Sequence, residues 1–170
     1  MGLLPRHKGL AASCLLLATA LLVFSRTSGA QTWIAALDGG KAVPSNLSQA
    51  TGTVTLTLSG TTLVVLMSWN DLHRFPGGVD IHAQVPRESQ RNYAVIVPDF
   101  PVEQSGSYTA RIDLTLASAY DAGFLRKHGD KVAAARAAFV AALNAGGGYV
   151  DVRSPNFSIP PEIGGRLVLR

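Results

Sequence analysis

Cys14 is the only cysteine in this 170-residue chain. Everything after it must hold together without an internal disulfide, by burying apolar surface. Charge is sparse too, with 15% of residues Asp, Glu, Lys or Arg. Long apolar runs are confined to one place, Leu10 to Phe24, interrupted by Ser13 and Thr19. A spanning helix needs about 20 apolar residues, and this run is shorter, with Ser25, Arg26 and Thr27 closing it.

The run has the flanks of a secretory signal. Arg6 and Lys8 precede it, and the small residues Ser28, Gly29 and Ala30 follow it, which predicts cleavage after Ala30. Residues 1–30 are therefore expected to be removed, leaving a secreted or periplasmic domain over 31–170. Leu10 to Cys14 loosely resembles a lipoprotein processing box, but the main apolar run follows the cysteine, so lipid attachment would cut through the targeting segment. Export also changes the charge balance. Three of the fifteen basic residues (Arg6, Lys8 and Arg26) leave with the signal, so twelve face eleven acidic ones. The concentrated positive charge that nucleic-acid binding requires is absent.

The mature part alternates with the period of strands. Thr53 to Leu58 sets Val54, Leu56 and Leu58 on one face and threonines on the other. Ser59 to Thr62 reads as a turn into a second strand, Leu63 to Trp69. Further strands are expected at Trp33 to Leu37, Val79 to Val85, Tyr93 to Val97, Tyr108 to Leu114, Tyr149 to Arg153 and Arg166 to Leu169. One stretch is helical instead. From Asp130 to Leu143, Val132, Arg136, Phe139, Val140 and Leu143 recur at helical spacing, with Asp130 as the expected N-cap and Gly146 to Gly148 as the stop. The fold expected is all-β, an antiparallel β-sandwich or Greek-key barrel-like domain with one helix inserted near 130–144.

Ala36 to Pro44, Ala50 to Thr53, Val79 to His82, Ser118 to Phe124, Tyr149 to Ser154 and Pro161 to Leu167 together resemble the CHRD domain, first described in chordin and common in exported bacterial proteins. Ala36 to Pro44 resembles the family's opening Ala-x-Leu-x-Gly-x-Gln-Glu-Val-Pro. Ala50 to Thr53 fits the next strand, and Val79-Asp80-Ile81-His82 fits Ala-His-Ile-His. Ser118 to Phe124 with the alanine-rich helix resembles an insertion found in bacterial members. Tyr149 to Ser154 sits where Tyr-Val-Asn-Val-His-Thr is typical, and Pro161 to Leu167 where Gly-Glu-Ile-Arg-Gly-x-Leu is typical. The motifs occur in order from Trp33 to Leu169. The resemblance implies a sandwich-like β domain and leaves its biochemical role unassigned. At four polar positions of the pattern this chain differs: Ala42 replaces an acid, Asp80 and Arg153 replace histidines, and Gly164 replaces an arginine. His82 and Glu162 persist.

Asp80 and His82 are two apart on a strand, as are Asp151 and Arg153, so each pair leaves one face. Should the strands neighbour each other, Asp80, His82, Asp151, Arg153 and Glu162 form a polar cluster. One reading is a metal or anion site, with Asp80, His82 and Glu162 as ligands, since imidazole and carboxylates suit a divalent ion. The other is a salt-bridge network that aligns strands. The fixed charge of Arg153 argues against a metal. His73 and His128 are read as surface residues. No nucleophile elbow, helical His pair or phosphate-cradling loop is present, because Gly146 to Gly148 precedes a strand. No cofactor is expected. Asn46-Leu47-Ser48 and Asn156-Phe157-Ser158 match the glycosylation pattern and are expected to be unused. Phe157, Ile159, Pro160 and Pro161, with Phe75, Phe100 and Pro101, are loop apolars that could form a binding rim. The expected function is a non-enzymatic binding or structural module contacting a protein or extracellular matrix component; the alternative is a metal-binding or metal-dependent enzyme.

Overall fold

The structure, a computed structural model, describes residues 29–84, 93–155, 157 and 160–170. Most of the expected signal and the expected strand end at Val85 lie outside the described residues, as do Asn156 and Ile159. Nine strands and two short α-helices are described: β1 Gln31–Asp38, β2 Thr51–Ser59, β3 Thr62–Asn70, β4 Gly78–His82, β5 Tyr93–Ile96, β6 Gly106–Asp113, α1 Ala122–Lys127, α2 Val132–Asn144, β7 Tyr149–Arg153, β8 Ile163–Arg166 and β9 Val168–Leu169. The strands form a single curled antiparallel sheet in the order β5-β4-β7-β8-β1-β2-β3-β6, with β9 also pairing β1. The chain is all-β with a small helical insertion, as its alternation predicts. No helix among the described residues is long and apolar enough to cross a membrane.

The period-2 pattern decides which faces turn inward. Val54, Leu56 and Leu58 of β2 meet Leu63, Val65, Met67 and Trp69 of β3 and Ala110 and Ile112 of β6 in one core, with Trp33 and Leu37 of β1. Val79, Ile81, Val95, Val150, Val152 and Ile163 continue that core across the other half of the sheet. The β2–β3 hairpin turns at Gly60, whose φ of 61° lies in the left-handed region glycine tolerates.

Helix α2 packs Ala135, Phe139 and Leu143 into the core. Phe139 and Leu143 belong to the predicted stripe, and Ala135, which lies outside it, carries too little apolar signal to stand out in an alanine-rich run. The expected cap at Asp130 is displaced. Asp130 has a φ of 57°, the N-cap position falls on Lys131, and no side chain caps the helix. A helix start needs an extended cap residue, and a left-handed Asp130 cannot be one. The capped helix is α1 instead, where Asp121 accepts from the Gly123 and Phe124 amides. Gly146, with a φ of 73°, follows the end of α2 as expected.

Strand register sorts the connections onto two ends. Asp38 pairs with Thr51 and Gly164, Thr51 with Asn70, Trp69 with Gly106, Gly78 with Arg153 and Val152 with Ile163. The links 39–50, 71–77, 97–105 and 154–162 therefore emerge together at one end. The tight turn at Gly60 and the helices occupy the other.

Candidate functional site

The expected neighbourhood of β4 and β7 exists, and its register sets Asp80 opposite Asp151, His82 opposite Tyr149 and Gly78 opposite Arg153. Two polar pairs form across it. The Arg153 guanidinium donates through Nε to Asp80 Oδ2, and His82 Nε2 lies 3.0 Å from Asp151 Oδ2. These are buried pairs rather than a solvated face. Asp80 is 7% exposed, His82 1% and Asp151 4%. Aromatic rings crowd them: His82 lies between Tyr93 and Tyr149, at centroid distances of 5.3 and 5.7 Å, and the Arg153 guanidinium sits over Tyr93. Tyr149 donates its hydroxyl to the Lys41 carbonyl, which ties this face to the β1–β2 link.

Burial shapes the electrostatics. It pushes the Asp80 carboxyl above its ordinary value, Arg153 pulls the other way, and Asp151 reinforces the rise. Burial likewise raises the Tyr149 phenol, with Asp151 adding to it. For Arg153 burial acts downward, but Asp80, with Tyr93 and Asp151, acts upward and the net direction is up. His82 Nδ1 and Asp151 Oδ1 are buried without a hydrogen-bond partner among the described residues.

Two of the positions where this chain differs from the CHRD pattern are thus partners. Asp80 and Arg153 stand where histidines are typical, and together they make an ion pair. A third, Gly164, is explained by packing, because a Cβ there would lie 1.9 Å from the Tyr149 hydroxyl oxygen. Only glycine fits beneath that ring.

Glu162 does not join this cluster. Asp80, His82 and Glu162 are not brought together as expected: Asp80 pairs with Arg153, His82 with Asp151, and Glu162 with donors of the loop end. Among the described residues no three His, Cys, Asp or Glu side chains are placed to hold a metal ion. Glu162 is fully buried, and its carboxyl gathers three neutral donors from three loops. Oε1 accepts from the His73 amide and from Ser48 Oγ at 3.2 Å, and Oε2 accepts from Ser154 Oγ at 2.6 Å. Asn46 strengthens the junction by donating to the Pro161 and Glu162 carbonyls at 2.8 and 3.1 Å. That commitment also binds the first glycosylation-like asparagine into the fold.

Above this junction an open groove of about 610 Å³ is lined by Asn46, Leu47, Ser48, Gln49, Asp71, His73 and Phe157. His73 is on the surface as expected, and its ring meets Phe157 edge-on at 6.2 Å. His128 is partly buried against Phe124, at 4.6 Å between rings, rather than simply solvated. Asn46, Ser48 and Ser154 are the residues sequence reasoning missed. Asn46 and Ser48 carried an Asn-x-Ser signal, which reads equally well as a glycosylation acceptor, and Ser154 carried none of that kind.

No curated protein matches the chain. A family model does, the CHRD domain, over residues 33–167, the span that holds the sheet except β9 and the start of β1, both polar pairs and the Glu162 junction. The chain belongs to the CHRD domain family.

Proposed function

We propose that this protein is an exported, non-enzymatic binding module that contacts a protein or extracellular matrix component through its loop end. The observation that carries the reading is the gathering of four links at one end of the sheet with apolar side chains turned outward. Leu47 is 93% exposed, Phe75 61% and Val102 64%, one on each of three links, and the fourth contributes the half-buried Phe157. Exposed apolar side chains gathered at one end of a rigid scaffold are what a binding rim needs. The His82–Asp151 pair has the contact of an acid–base dyad, but an imidazole so deeply buried is out of a substrate's reach, which supports a non-catalytic role.

The test is capture from the producing cell's envelope by immobilised protein, with Leu47→Asp/Phe75→Asp beside the native protein. Leu66→Asp, on the exposed side of β3, is the control. Capture should be lost with the double variant and kept with the control. Equal capture by all three would overturn the loop-end reading.

A further inference from the structure

We propose that the groove between the β1–β2, β3–β4 and β7–β8 links is a saccharide-binding site, pre-shaped by the buried Glu162 carboxyl. This rests on the loop-end reading and names its ligand class.

The groove is built rather than incidental. Two of its lining residues, Ser48 and His73, are held by a carboxyl with no exposure at all. A buried carboxyl is expensive to desolvate and persists where it fixes a conformation. Here it fixes the positions of three loops at once. The β3–β4 link is held from its other side as well. Gln104 Nε2 donates to the Leu72 and His73 carbonyls, Leu72 donates its amide to the Gln104 carbonyl, and Ser105 Oγ accepts from the Asp71 amide. Asp71 itself takes a left-handed φ of 60°, a conformation that asparagine and aspartate tolerate best.

What this scaffold leaves free defines the ligand. Among the described residues, the Asp71 carboxylate, the His73 ring nitrogens and the Gln49 side-chain oxygen carry no hydrogen-bond partner, while Gln49 Nε2 donates to the Leu47 carbonyl. These groups accept, and imidazole also donates, so they suit hydroxyls, which do both. The walls supply the complementary surface. Phe157 and Leu47 present apolar faces on which the C–H side of a sugar ring can rest. The groove is open, and none of its described lining residues lies in a strand, so a peptide backbone would find no ladder to extend. A short run of hydroxylated rings uses every free group.

The probes are chitotetraose, maltotetraose, cellotetraose and an oligogalacturonate, each titrated into the purified protein and followed by ¹H–¹⁵N spectra. At least one should shift the amides of 46–49, 71–73 and Phe157. Phe157→Ala and Asp71→Asn should each weaken that binding by about tenfold or more. Glu162→Gln should weaken it while leaving near-UV circular dichroism native, since the residue positions the groove without touching ligand. Absence of shifts with all four probes at millimolar concentration would overturn the assignment, as would shifts confined to another surface. If the probes fail while the Leu47/Phe75 variant still loses envelope capture, the ligand class falls and the binding face stands. If capture is also indifferent to that variant, both fall.

Discussion

Two regions of this molecule bury carboxyl groups, and they satisfy them in opposite ways. At the loop end, Glu162 is surrounded by neutral donors drawn from three separate links. On the β4–β7 face, Asp80 and Asp151 are answered by ionisable side chains from the neighbouring strand, and His82 Nδ1 and Asp151 Oδ1 have no partner among the described residues. The first arrangement ties together chain segments that no ladder connects. The second joins strands that are already hydrogen-bonded, so its removal deprives the fold of less. Burial alone therefore does not rank a polar group's importance; what its partners would do without it does.

Breaking the loop-end carboxyl should have the largest effect. Glu162→Ala removes the acceptor of the Ser48 and Ser154 hydroxyls and of the His73 amide together, at about 1–3 kcal/mol for a buried group left unmatched, as at Ser154, and less for the partly buried ones. A loss of about 4 kcal/mol in urea unfolding is expected, with faster hydrogen exchange in the links 39–50 and 71–77. A loss below about 1 kcal/mol would show that the three links hold themselves.

Arg153→Ala should come next. It strands the buried Asp80 charge, and breaking a buried pair from one side typically costs 3–5 kcal/mol; Arg153 is 28% exposed, so about 3 kcal/mol is expected. The loss should be smaller in the Asp80→Asn background, where no charge is left behind, and a double-mutant cycle by denaturant unfolding measures the difference. Gly164→Ala should follow at about 2 kcal/mol, because its Cβ displaces the Tyr149 ring and breaks the hydroxyl's bond to Lys41. Tyr149 fluorescence and near-UV circular dichroism report that displacement, and a native spectrum would count against it.

The same contrast explains what the sequence made legible. Strand alternation exposed Val54, Leu56 and Leu58 as one buried face because local period and tertiary burial agree there. Two-residue spacing likewise put Asp80 with His82 and Asp151 with Arg153, since a strand enforces it. The cross-strand partners needed the register, which no local pattern encodes. Glu162 was legible as a reactive residue type but not in its role. Its donors are 114, 89 and 8 residues away in the chain, and one is a backbone amide that carries no residue-type signal. The displaced cap at Asp130 had the opposite failing. A favourable residue type stood in the right place, and the backbone took a left-handed turn through it.

The smallest expected effect is also the sharpest test of the β4–β7 face. Asp80 has a folded-state value raised above the ordinary 3.8, because desolvation outweighs its pairing with Arg153. As pH climbs from that ordinary value, the unfolded chain releases the proton first, and the native state binds more protons across the window. Stability then falls with rising pH: the contribution of Asp80 is fully present below the ordinary value and is lost through the raised one. Asparagine mimics the protonated side chain and cannot titrate. Asp80→Asn should therefore match the native protein near pH 3.5 and gain on it toward pH 7, by less than about 1 kcal/mol. Urea unfolding of both proteins across that range measures the gap. A gap that moves in the native protein's favour as pH rises would mean that Arg153 outweighs desolvation, and that this face, like the Glu162 junction, is held together by its carboxyl.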